Sequence, residues 1–109
     1  MVYEVEWLVE VEGELQRFFS KRFQGSIVRK VDHIAANLPA SLSLRGVQPV
    51  KGQSELEIAG ELYELDIGSG ARAAFVIHND SNRLIVYLVG HHDYARSNYL
   101  RAAVERLTE

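Results

Sequence analysis

The chain opens on a strict alternation, Tyr3-Glu4-Val5-Glu6-Trp7, in which apolar and acidic residues trade places before the apolar pair Leu8-Val9. Successive strand side chains point to opposite faces, so this period of two reads as a half-buried strand with its acids in water. From Leu15 the period lengthens, and Leu15, Phe18, Phe19 and Phe23 recur at helical spacing up to a break at Gly25-Ser26. Ser26 is placed to cap a second helix, because its hydroxyl can accept a bond from a free amide of the first turn. Ile27, Val31, Ile34, Ala35 and Leu38 form that helix's apolar face, which ends at Pro39. Two amphipathic helices in tandem make a helical hairpin.

Residues 39–60 lose any single period, and Pro39, Gly46, Pro49, Gly52 and Gly60 punctuate them. They read as a long connection with a short strand near Leu56 and Ile58; connections of this length in small domains are more often functional than random. Three strands follow, at residues 62–67, 71–78 and 84–89, joined by the short turns Gly68-Ser69-Gly70 and Asn79-Asp80-Ser81-Asn82. Short turns between adjacent strands make an antiparallel meander, and the nearly unbroken apolar run of the third marks it as the most buried. Leu100, Ala103, Val104 and Leu107 then outline a C-terminal amphipathic helix, with Asp93 or Ser97 available as its cap. The fold class is α+β, with an N-terminal strand, a helical hairpin, a three-stranded antiparallel meander and a C-terminal helix, the helices packed on one face of the sheet.

Length adds that 109 residues make one domain, 1–109, with one core. Acids at the N-terminus and short apolar runs exclude a secretory signal and a membrane span, so the expected location is the cytoplasm. The absence of cysteine excludes disulfides, thiol nucleophiles and thiolate metal sites. Charge changes the picture more. A net charge of −3 hides segregation: residues 1–14 hold five glutamates and no base, residues 15–51 hold seven Lys/Arg against Asp32 alone, and residues 52–70 hold five acids and no base. Such blocks can form a local positive surface on an acidic protein, or simply the solvated faces of two helices.

Candidate chemistry gathers between Glu61 and Tyr99. Gly90-His91-His92-Asp93-Tyr94 closes the last strand, and histidine is the side chain most readily poised for proton transfer near neutral pH. The same residues also suit a loop entering a helix, and sequence leaves the two readings side by side. Arg72 opens the middle strand, where a surface ion pair with Asp66 or Glu64 is the plain alternative to a role in binding anions. His91, His92 and Asp93 assign no metal, since neighbouring residues seldom aim at one ion and no distant ligand set accompanies them. Trp7, Phe18, Phe19, Phe23 and Phe75 fall on buried periods and belong to the core. Tyr63, Tyr94 and Tyr99 are better placed to stack on bases.

Several short motifs stand in a telling order: Tyr3-Glu4-Val5-Glu6-Trp7, Val50-Lys51-Gly52, Gly60-Glu61-Leu62-Tyr63-Glu64-Leu65, Gly70-Ala71-Arg72 before Ala73-Ala74-Phe75-Val76, and 84–90 before a histidine-rich turn. In this order the chain resembles the RelE/ParE superfamily of toxins from type II toxin–antitoxin modules, in particular its RelE/HigB-like branch. The resemblance implies a metal-independent endoribonuclease that needs no cofactor, cleaves messenger RNA on the translating ribosome and is held in check by a cognate antitoxin, in a homo- or hetero-oligomer. It implies docking of that antitoxin on the helical hairpin and C-terminal helix. By position, Arg72 would stabilise phosphate charge and His91 or His92 would act as acid or base. Tyr94 and Tyr99 compete for the role of a functional tyrosine, and Lys51 and Arg96 would hold RNA backbone. Where many members carry a basic residue in the first meander strand, this chain has Glu64-Leu65-Asp66, whose charge opposes a polyanion. Two alternatives follow from the same resemblance: a non-catalytic ParE-like inhibitor of DNA gyrase, and an inactive toxin-like domain that only binds an antitoxin.

Overall fold

Residues 2–108 are described by a computed structural model. Strand β1 (Glu4–Trp7) leads into helices α1 (Val9–Phe18) and α2 (Lys21–Ala36), followed by the short strand β2 (Val47–Pro49). Strands β3 (Glu61–Gly68), β4 (Ala71–His78) and β5 (Arg83–His91) form the meander, and helix α3 (His92–Leu107) closes the chain. The strands make one five-stranded sheet in the order β1-β5-β4-β3-β2, with β1 parallel to β5 and the other pairs antiparallel. The expected strand near Leu56 and Ile58 is absent. Its place in the connection is taken by β2, which extends the meander by pairing Val47 with Leu65 and Pro49 with Tyr63. Proline is tolerated there because β2 is an edge strand.

Helices cover both faces of the sheet, not one. Ala71, Ala73, Phe75 and Ile77 of β4 pack with Val11, Leu15, Ile27, Val31 and Ile34 of α1 and α2. Ala74 and Val76 of the same strand pack with Ala95, Tyr99, Ala102 and Ala103 of α3. A strand apolar at almost every position has no face to give to water, and β4 and β5 are of that kind. On α3 the buried stripe falls on Ala95, Tyr99, Ala102 and Ala103, while Val104 stays 45% exposed.

The helical hairpin breaks earlier than its aromatic spacing implies. α1 starts at Val9 and ends at Phe18, and Ser20, not Ser26, caps α2 by accepting a bond from the Phe23 amide at 3.2 Å. Gly25 and Ser26 lie inside α2, where the burial of Ile27, Val31 and Ile34 outweighs the weak helix preference of one glycine. Ser20→Ala should lower stability by about 1 kcal/mol in urea unfolding, whereas Ser26→Ala, off the cap, should not. Nor do Asp93 and Ser97 cap α3: both lie within it, and His91 occupies the cap position without a side-chain bond.

β1 covers only the first half of β5. Beyond it, the Val89 amide donates to Glu14 of α1 at 3.2 Å and the Tyr87 carbonyl accepts from Arg106 of α3 at 2.9 Å, so side chains complete the open edge. Glu14 and Arg106 also meet in two bonds of 2.9 and 3.0 Å, and the Tyr94 hydroxyl donates to Glu14 at 2.5 Å. Gly90 is needed here for space, since a Cβ would collide with the Tyr94 ring. Both ends of α3 are thereby fixed against β5. No helix among the described residues is long and apolar enough to cross a membrane.

Candidate functional site

A cleft of about 450 Å³ opens where α3 crosses the β2 side of the sheet. Strand alternation explains its polar floor. Residues 72, 74 and 76 of β4 share the α3 face; Ala74 and Val76 are sealed under the helix, and Arg72 emerges one step beyond them. Leu62 and Glu64 repeat that pattern on β3. Lys51, just past β2, and Arg96, Tyr99 and Arg101 of α3 complete the charged and phenolic lining.

The glycine turn sets the central contact. Gly68, Ser69 and Gly70 all take positive φ (+103°, +53° and +78°), which folds β4 back so that Arg72 lies directly across from Asp66. The Arg72 guanidinium stands 3.6 Å from Glu64 Oε1 and 3.8 Å from Asp66 Oδ2, distances of ion pairing without tight hydrogen bonding. The ion pairing expected as the plain alternative therefore forms, and its Arg72–Glu64 half joins two residues that line the cleft. Two polar atoms are left over: Arg72 Nε and the Tyr99 hydroxyl are buried and, among the described residues, have no hydrogen-bond partner. Burial is the main reason that the Tyr99 phenol is pushed up to about 12, with Glu64 adding to the shift and Arg72 and Arg96 opposing it. At neutral pH Tyr99 consequently keeps its proton and can donate it in a hydrogen bond. A buried unpaired donor costs about 1–3 kcal/mol, and such groups call for an explanation such as a ligand. Tyr99→Phe should therefore leave stability unchanged or raise it by about 1 kcal/mol in urea unfolding, the opposite of a core truncation.

Of the residues singled out from sequence, Arg72, Lys51, Arg96 and Tyr99 converge on the cleft. His92 borders it: its Nε2 lies 3.4 Å from Arg96 Nη1 and its Nδ1 3.2 Å from Asp93 Oδ1. Those partners fit a tautomer with the proton on Nδ1 and the lone pair on Nε2. His91 points to the other face, where its ring lies 4.9 Å from Phe19 and 5.7 Å from Phe18. Tyr94 packs 4.9 Å from Phe18 and is bonded to Glu14. Neither lines the cleft. Arg101, which the sequence did not single out, and Glu64, which counted only as an obstacle, also line the cleft. Among the described residues no three His, Cys, Asp or Glu side chains gather as a metal site.

No family model and no curated protein matches the sequence. Solved structures do. Escherichia coli toxin RelE, an arginine-to-alanine double mutant in the free state, aligns over 99% of this chain and 100% of its own, with TM-score 0.70 and 16% identity. This chain has the RelE toxin fold. A chain of the archaeal RelE–RelB complex from Pyrococcus horikoshii aligns over 84% of this chain and 97% of its own, with TM-score 0.65 and 16% identity. The toxin–antitoxin complex RelBE2 of Mycobacterium tuberculosis gives 84% and 99% coverage, TM-score 0.56 and 18% identity. The RelE-like order of elements inferred from the sequence is thus the order observed, with β2 added at the sheet edge.

Proposed function

We propose that this protein is the toxin of a toxin–antitoxin module and an endoribonuclease acting on messenger RNA during translation. The observation that carries the reading is a cleft, in a RelE fold, that joins Lys51, Arg72, Arg96 and Arg101 to two buried unpaired donors, Arg72 Nε and the Tyr99 hydroxyl. Donors on two residues of one cleft, with nothing to donate to, suit the oxygens of a phosphate. Cleavage needs a base for the ribose 2′-hydroxyl, charge stabilisation at phosphorus and a proton for the leaving 5′-oxygen. Glu64, the carboxylate lining the cleft, takes the 2′-proton; the 2′-oxygen bonds to phosphorus as the bond to the 5′-oxygen breaks. The products are a 2′,3′-cyclic phosphate and a free 5′-hydroxyl. Arg72 and Tyr99 hold the phosphate oxygens, and His92 in its imidazolium form, with a proton on each ring nitrogen, supplies the leaving-group proton from Nε2 and is left as the neutral Nδ1 tautomer. Lys51, Arg96 and Arg101 hold the flanking backbone. His91 and Tyr94 support the site from the β5–α3 junction. In this reading Glu64 is a working part and no longer only an obstacle.

A translation-coupled cleavage assay tests the proposal, with wild type beside Arg72→Ala and His92→Ala, with and without ribosomes. Wild type should cut message and both variants should lose activity. Toxicity that survives both substitutions removes the assigned site. The pairing of Arg72 with Glu64 and Asp66 favours one second reading, a toxin-like domain that only binds an antitoxin. Expression in cells separates the two, since rapid loss of translated messages belongs to the nuclease and absence of toxicity to the binding domain. The antitoxin, as partner of either, would meet the helical hairpin and α3.

A further inference from the structure

Glu64 and Asp66 bear on which phosphate the cleft accepts. The phosphate inside an RNA chain carries one negative charge, whereas a terminal phosphate carries close to two near neutral pH. Coulomb energy is proportional to charge, so a carboxylate beside a phosphate subsite opposes a terminal phosphate about twice as strongly as an internal one. Here two carboxylates flank Arg72, at 3.6 and 3.8 Å. Their placement is fixed by the backbone. Glu64 projects from β3, and Asp66 sits across from Arg72 in register, with its Oδ1 accepting from the Gly68 amide at 3.0 Å. Both acids lie at the Arg72 guanidinium, whose Nε is buried and, among the described residues, unpaired. Lys51, Arg96 and Arg101 attract a dianion about twice as strongly as a monoanion, and the two acids offset part of that preference.

We propose that Glu64 and Asp66 are specificity-determining residues that shift the cleft's preference toward the monoanionic phosphodiester inside an RNA chain and away from the dianionic phosphomonoester at its end. RNA ends and free nucleotides then compete less well with internal phosphates than they would without the two acids. The inference rests on the cleft being a phosphate site, but it concerns binding and does not require cleavage.

The test uses two probes that cannot be cleaved: a 2′-O-methyl dinucleotide joined by a phosphodiester, and a 2′-O-methyl nucleoside 3′-monophosphate. Each is titrated by NMR into wild type, Glu64→Gln, Asp66→Asn and Arg72→Ala, at about pH 8, where the monoester is dianionic. Removing one charge about 5 Å from the phosphate in a water-like dielectric should tighten the diester about fourfold and the monoester about sixteenfold. The monoester-to-diester affinity ratio should therefore rise about fourfold in each acid-neutralised variant, and Arg72→Ala should weaken both probes. Equal tightening of the two probes, or none, would overturn the selectivity while leaving the phosphate site in place. Failure of wild type to bind either probe would overturn the phosphate site and the selectivity together. Glu64→Gln is nearly isosteric and Asp66 is partly exposed, so loss of fold is not expected.

Discussion

Arg72→Ala should lower the single-turnover rate of RNA cleavage by about 10²–10³ while leaving the fold standing, because it removes a fixed donor from where phosphate charge grows. The stability cost should be small. Arg72 meets Glu64 and Asp66 at 3.6 and 3.8 Å, too far for strong hydrogen bonds, and Asp66 is about half exposed, so water already screens the contact. Two explanations of a lost rate need separating. Arg72 could act on phosphate directly, or it could merely neutralise Glu64 and Asp66, whose charge would otherwise repel RNA. Arg72→Lys keeps the charge and loses the planar fork; a large loss there argues for directed donation. Adding Asp66→Asn to Arg72→Ala gives the second arm, since recovery of most of the rate would reduce Arg72 to a counterion. Activity within about threefold of wild type in Arg72→Ala itself would show that the assigned electrostatic role is wrong.

The parts of this fold that sequence disclosed are those decided by local chemistry. β4 has the expected bounds, residues 71–78, because turn residues flank it on both sides. The break between α1 and α2 was misplaced since Ser20 and Ser26 are equivalent caps in a sequence, and only the packing of Ile27 and Val31 shows which one the helix runs through. One-face packing of the sheet was the wrong inference from a pattern that already contained the answer, as β5 is buried almost throughout. In the site, the order of motifs found Arg72, Lys51 and Arg96, and left Tyr94 and Tyr99 open. The period of α3 places Tyr99 at the cleft and sends Tyr94 to Glu14. Glu64 was visible, but the role proposed for it was not. An acid beside an arginine looks like repulsion of RNA in one dimension, and like a base next to an anion holder once both line one cavity.

Glu14→Ala or Arg106→Ala should each cost about 3–5 kcal/mol in urea unfolding, far more than removing any exposed charge. Glu14 sat unnoticed in an acidic N-terminal run because its partner lies 92 residues away, yet only 3% of it is exposed. Its carboxylate accepts from Arg106, Tyr94 and the Val89 amide, and Arg106 also serves the Tyr87 carbonyl. Truncating either partner strands the other charge among apolar neighbours and leaves a β5 edge group unpaired. Burial by itself would push the Arg106 guanidinium down, but the hydrogen bond and charge of Glu14 more than reverse this, and the net direction is up. Burial first, and then its own hydrogen bond to Glu14, hold the Tyr94 phenol above its ordinary value. A buried pair need not be better than an apolar one, so Glu14→Leu combined with Arg106→Met should recover much of what either truncation loses. Recovery would be incomplete, since Tyr94, the Val89 amide and the Tyr87 carbonyl would still lack partners. Single variants that lose under about 1 kcal/mol would mean that water replaces the missing partner freely, and that the pair does not hold α3 to the β5 edge.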